Sequence, residues 1–236
     1  MVVTIFDLTM RAKRPNAIAC GCFLAVVLAL FFAPWARGQA SAAAPAARKT
    51  IVILGDSLAA GFGVEPEQAF PALLQKKLEA AGWPGTVVNA GVSGDTSADG
   101  LARIDWLLRR KIDVLVLELG GNDGLRGLPV AATRTNLQAI LDRVRQKYPQ
   151  VHLIVAGMQM PPNMGEEYDA AFRALFPELA AKNQAALIPF LLAGVGGRRE
   201  LNQEDRIHPN AAGHALVAEN VWRILQPVLQ SQLNAP

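Results

Sequence analysis

Three short apolar runs in this chain each stop abruptly at a block of small and polar residues. Ile51-Val52-Ile53-Leu54 is followed by Gly55-Asp56-Ser57-Leu58. The run around Val87-Val88 is followed by Ser93-Gly94-Asp95-Thr96, and Val114–Leu119 by Gly120-Gly121-Asn122-Asp123. A fourth polar block, Asp205-x-x-His208, lies near the C-terminal end. Apolar runs without polar alternation are buried on both faces, as strands of a parallel sheet are. Their polar tips then gather on one edge of the sheet, where loops assemble one active site.

Amphipathic stretches separate the runs. The pattern predicts strands at Thr50–Leu54, Thr86–Val92, Val114–Leu119, Val151–Met158 and Ala186–Phe190. It predicts helices at Glu67–Ala81 (ended by Gly82), Ser97–Arg110, Val130–Lys147, Tyr168–Asn183 with a break at Pro177, and Pro209–Leu229 with Pro209 at the first position. Strands alternating with helices make an α/β fold, a three-layer α/β/α sandwich with right-handed crossovers. Ligands bind such sheets beyond the carboxyl ends of the strands.

The formal net charge of +3 resides in residues 1–40, where Arg11, Lys13, Arg14 and Arg37 face only Asp7; nineteen basic and nineteen acidic residues remain elsewhere. The folded part therefore shows no basic patch for nucleic acid. A positive segment, an apolar stretch from Ala17 to Ala33 and the small residues Gly38-Gln39-Ala40-Ser41-Ala42 read as a signal peptide over 1–40; cleavage after Ala40 fits, and Ala42 to Ala44 offer other positions. The rival is an uncleaved anchor, for which the stretch is slightly short. Residues 41–49 read as a linker, 50–230 as one catalytic domain and 231–236 as a tail. Export makes the protein periplasmic or secreted, with no stable membrane insertion after cleavage. Both cysteines, Cys20 and Cys22, lie in the leader, which excludes a disulfide framework and cysteine catalysis in the mature chain.

A serine hydroxyl at a strand tip is a nucleophile only with a base in reach; by itself Ser57 reads first as a helix starter. Among three histidines, His152 opens a strand and His214 lies inside the last helix, where packing is the default role. His208 precedes a proline, which pushes its backbone toward the extended region. Asp205, three residues earlier, is spaced to hold one ring nitrogen and leave the other for the serine proton. An acyl-transfer oxyanion needs donors: the N–H of Ser57, the N–H of Gly94, whose missing Cβ permits close approach, and the Asn122 amide. Asp56 and Asp123 read as loop-holding residues. Glu118, in an apolar strand, is expected to be buried and either paired, with Arg103 as one option, or raised in pKa. Arg126 is a weaker candidate for contact with a polar substrate head, and Met158 and Met160 for an adaptable acyl channel. Asp95, Asp99 and Asp105 lack His or Cys company, so no metal site is expected, and Gly61-x-Gly63 is no dinucleotide fingerprint.

In this order the blocks resemble the SGNH (GDSL) hydrolases. Ile53–Gly61, Val87-Val88-Asn89-Ala90, Ser93–Ser97, Gly100-Leu101-Ala102-Arg103 and Glu118–Gly127 are similar to the periplasmic thioesterase I, lysophospholipase and arylesterase group. The resemblance covers residues 50 to about 230. It implies a flavodoxin-like five-stranded parallel sheet, a catalytic set Ser57, Asp205 and His208, an oxyanion hole of Ser57, Gly94 and Asn122, and a serine esterase acting on small-molecule or lipid acyl esters and thioesters without a cofactor. The alternatives on the same fold are a carbohydrate or peptidoglycan O-acetyl esterase, an acyltransferase, or a binding protein without turnover. These motifs carry no information on oligomeric state.

Overall fold

The computed structural model describes residues 48–160 and 164–233. The expected signal peptide with Cys20 and Cys22, most of the linker, Pro161-Pro162 and the last three residues lie outside the described residues.

Ile51 to Leu54 are β-branched or leucine and wholly buried, which suits the middle of a two-faced sheet. They form β1 (Lys49–Gly55), flanked in parallel by β2 (Gly85–Gly91) and β3 (Val114–Glu118). β4 (His152–Ala156) and β5 (Ala186–Ile188) complete an all-parallel sheet of order β2-β1-β3-β4-β5. The chain reverses direction across the sheet between β1 and β3, and such a switch point opens a crevice at the strand carboxyl ends. β2 was expected to be centred on a buried Val87-Val88; both are only half-buried, because this strand is the edge.

Helices cover both faces. A short α1 (Ser57–Ala60) follows β1, and α2 (Phe70–Ala80) packs against β2 and α7 (Ala211–Leu233). α3 (Ser97–Leu107), the short α4 (Gly121–Leu125), α5 (Val130–Lys147) and α6 (Glu166–Lys182) build the other layer. Among the described residues no helix is long and apolar enough to cross a membrane.

Three of the departures from the helix pattern occur at prolines. Instead of one helix from Glu67, a 3-10 turn at Pro66–Gln68 is followed by extended Ala69 (φ −61°, ψ 141°) before α2 begins. Pro71 has no N–H and would clash with the preceding turn, so it is tolerated only near a helix start. Pro177 does not break α6: it is exposed, and so is Arg173, whose carbonyl loses its helical partner to the missing N–H. α7 begins two residues after Pro209, which pairs with Asn202 in an antiparallel bridge. Asn210 caps α7 instead, its Oδ1 accepting the Gly213 N–H at 3.1 Å. At its far end α7 runs to Leu233, through much of the segment expected as a tail.

His214 joins the first and last parts of the domain. It is buried, and its Nδ1 accepts the Phe70 N–H at 3.3 Å. That N–H is one of the orphan donors of the α2 terminus. Burial, with a smaller push from the charge of His208, lowers the His214 pKa from 6.5 to about 4. The folded chain then binds the proton less readily than the unfolded chain, so stability present above pH 6.5 is lost as pH falls toward 4. The expected loss reaches about 3 kcal/mol. Denaturant midpoints measured across this range should fall more steeply for the wild type than for His214→Asn, which cannot take up a proton.

Candidate active site

β1 ends at Gly55, and Asp56 caps α1: its Oδ1 accepts the Leu58 N–H at 3.0 Å. Ser57 is thus the first residue of α1. Its N–H has no helical partner and none among the described residues. Its hydroxyl faces the last loop, where His208 Nε2 lies 2.9 Å from Ser57 Oγ.

That loop is a tight turn closed by the Asn202–Pro209 bridge and by the Gln203 N–H on the His208 carbonyl at 2.8 Å. Asp205 Oδ1 accepts the N–H groups of Ile207 (2.9 Å) and His208 (3.0 Å). Its other oxygen accepts the proton of His208 Nδ1 at 2.6 Å. Burial tends to raise the Asp205 pKa, but the His208 N–H, the imidazole and the Ile207 N–H outweigh it and leave the carboxyl below its usual range. Asp205 therefore stays ionised, Nδ1 keeps its proton, and Nε2 is the acceptor facing Ser57. Phe62, half exposed, covers the imidazole with ring centroids 4.7 Å apart, and its carbonyl is held by Gln203 Nε2 at 2.6 Å.

The other predicted donors come from the tips of β2 and β3. Gly94 has φ +88°, a left-handed conformation that favours glycine, and its N–H has no partner among the described residues. Arg126 donates to the Gly94 carbonyl at 3.0 Å, so its guanidinium braces this turn rather than lining the cavity beside Ser57. Asn122 Nδ2 donates to the Asp95 carbonyl at 2.9 Å and, more weakly, to Asp56 Oδ2 at 3.4 Å. Arg103 does not pair with Glu118: its Nε bonds Asp95 Oδ2 at 2.6 Å and its Nη2 the Gly55 carbonyl at 3.0 Å.

Glu118 is fully buried, and Asp56 nearly so. Burial first, then the charge of Asp56, pushes the Glu118 carboxyl well above its usual range. Burial also raises Asp56, to about 6, against the Leu58 N–H and the charge of His208. Asp123 accepts from the Ser97 N–H at 2.8 Å and the Thr133 hydroxyl at 3.1 Å, fastening α3 and α5 behind the site.

Beside Ser57 opens a cavity of about 600 Å³ whose lining includes Asn122, Met158, Met160, Leu125, Phe190 and Ile207. Both methionines singled out from the sequence thus reach it. Phe62, Gln203, Phe190 and Ile207 were not anticipated. Ile207 sits inside the Asp-x-x-His spacing, whereas the others carry no local motif. Arg206, also on this wall, has φ +61°, unusual for a residue other than glycine. Among the described residues no group of His, Cys, Asp and Glu has the makings of a metal site.

The GDSL-like lipase/acylhydrolase family model matches residues 53–216. Esterase TesA of Pseudomonas aeruginosa is 45% identical over 185 residues, covering 78% of this chain and 91% of the relative. The thioesterase 1/protease 1/lysophospholipase L1 of Escherichia coli is 40% identical, covering 78% and 86%. An arylesterase of Vibrio mimicus is 36% identical, covering 82% and 93%. Among solved structures, TesA superposes with a TM-score of 0.73 at 43% identity, over 76% of this chain and 99% of that one. AlinE4, an SGNH-hydrolase family esterase, superposes with a TM-score of 0.64 at 38% identity, over 80% and 98%.

A Cβ added at Gly94 would meet no atom within 4 Å, so only its backbone conformation opposes substitution. Gly94→Ala should lower stability by about 1 kcal/mol and, by turning the peptide N–H, lower kcat at least about tenfold with little change in KM. Thermal melts and steady-state kinetics on a nitrophenyl ester check both parts.

Proposed function

The chain belongs to the GDSL-like lipase/acylhydrolase family and acts as an esterase, and we propose that it hydrolyses acyl esters and thioesters through an acyl-enzyme on Ser57. The observation that carries the residue assignment is the hydrogen-bonded line from Ser57 Oγ to His208 Nε2 (2.9 Å) and from His208 Nδ1 to Asp205 Oδ2 (2.6 Å). Base and nucleophile are within proton-transfer distance, and the base is oriented by a carboxylate.

His208 removes the Ser57 proton as Oγ bonds to the substrate carbonyl carbon. The electron pair moves to the carbonyl oxygen, which takes N–H bonds from Ser57, Gly94 and Asn122. Asn122 gives up its longer bond to Asp56 for the oxyanion and keeps the shorter one to the Asp95 carbonyl, which fixes its amide plane. Collapse expels the alcohol or thiol, which takes the proton from His208. Water then repeats the sequence on the acyl-enzyme, and no cofactor enters any step.

The predominantly apolar cavity supports acyl chains longer than acetate and favours this reading over an O-acetyl esterase. The relatives named as thioesterase, lysophospholipase and arylesterase support the same substrate range. The composition of the leader supports export, which puts the working enzyme in the periplasm or outside the cell.

Ser57→Ala should lower kcat by about 10⁴-fold or more, and a phosphonate ester should label Ser57 in the wild type; full activity of the variant would contradict the assignment. Asp205→Asn should lower kcat without moving KM. A series of nitrophenyl esters should show kcat/KM rising from acetate to longer chains.

A further inference from the structure

Glu118 ends β3 wholly out of solvent and takes no part in the steps above. Its Oε2 accepts the Asp56 N–H at 3.2 Å, whereas its Oε1 has no hydrogen-bond partner. Among the described residues no cation pairs with it. Arg103, which reaches this end of the sheet, is committed to Asp95 and to the Gly55 carbonyl. An ionised carboxylate in such a place is far costlier than a neutral acid. The ionisable side chain that acts on Glu118 is the Asp56 carboxyl, and Glu118 Oε2 already holds the N–H of the same residue. Two carboxyls in contact need one proton between them.

We propose that Glu118 is a positioning residue for ester hydrolysis: as a neutral acid it donates its proton to the Asp56 carboxylate, so that the pair holds the nucleophile turn and the Asn122 amide while carrying one negative charge. This rests on the assignment of Asn122 to the oxyanion. When Asn122 turns its N–H to the oxyanion, Asp56 Oδ2 loses that donor. The Glu118 proton remains to hold Asp56 in place, and Oδ1 keeps its grip on the Leu58 N–H. A second negative charge beneath the site would oppose the charge developing on the substrate.

The charges facing the pair are few. His208 and Asp95 act on Asp56 from the last loop and the 93–96 turn, while Glu118 faces Asp56 itself and the N–H groups of Asp56 and Ala59. Burial foremost, then the charge of Asp56, keeps Glu118 protonated well above 4.5. In the unfolded chain Glu118 ionises as pH rises past that value while the folded chain keeps it neutral, so the wild type loses stability with rising pH and an amide at this position does not.

The test compares the wild type with Glu118→Gln and Glu118→Leu. Infrared spectra should contain a protonated-carboxyl C=O band at neutral pH that Glu118→Gln removes. The stability of Glu118→Gln relative to wild type should rise with pH above 4.5. Glu118→Gln keeps a donor toward Asp56 and should hold kcat within about threefold. Glu118→Leu should lower kcat about tenfold or more with KM little changed. A missing band, a band that persists in Glu118→Gln, a stability difference flat in pH, or wild-type kcat in Glu118→Leu would overturn the proposal. If Glu118→Leu does not fold, the infrared and stability readings on Glu118→Gln still decide it. Neither reading depends on turnover, so failure of the Ser57 assignment would show separately in Ser57→Ala.

Discussion

A side chain at Gly55 would overlap Glu118 Oε2 and come within 2.6 Å of the Ala59 Cβ. The absence of that Cβ is what lets a buried acid from β3 lie directly beneath the turn that leaves β1. The site is built upward from this approach. Glu118 takes the Asp56 N–H, Asp56 takes the Leu58 N–H, and α1 then starts at Ser57 with its hydroxyl toward the cavity. Gly55 is a packing requirement of the strand below as much as a feature of the loop.

The tip of β2 is secured by side chains from the opposite layer of the sandwich. Arg103 of α3 bonds the Asp95 carboxylate and the Gly55 carbonyl, Asn122 of α4 bonds the Asp95 carbonyl, and Arg126 bonds the Gly94 carbonyl. Each clamp joins two of the three strand ends at the switch point. Asp123 binds α3 and α5 beneath them. On the proposed assignment, the donors that face substrate are held by polar atoms that do not, which keeps them aligned.

The strand cores and the Asp205–His208 spacing could be read directly from the residues, because burial on two faces and a three-residue turn are local facts. α5 could be read to its last residue, for its period is regular and no proline interrupts it. Pro177 misled, since a proline in a helix is tolerated where the carbonyl it frees meets water, and exposure is set by tertiary packing. Val87-Val88 misled because an edge strand is defined by its neighbours rather than by its own sequence. Pro71 and Asn210 are local signals, and they explain the helix starts at Phe70 and Ala211 once weighed. Glu118 read from the sequence as buried and either paired or raised in pKa; it is buried and raised, and Arg103 is committed elsewhere. Besides burial, the charge that raises Glu118 is that of another acid, Asp56. Arg126 and Gln203 act through side-chain reach onto distant carbonyls, for which the sequence holds no periodicity or motif.

The Ser57–His208 contact joins residues 151 apart in the chain, and the Phe70–His214 bond joins residues 144 apart. Closures of that span are entropically expensive and form late when loop entropy limits assembly. On the proposed assignment the base and its carboxylate share one short turn, whereas the nucleophile lies near the other end of the domain's chain. On that assignment a fragment ending before the Asn202–Pro209 turn would carry a serine with no base beside it.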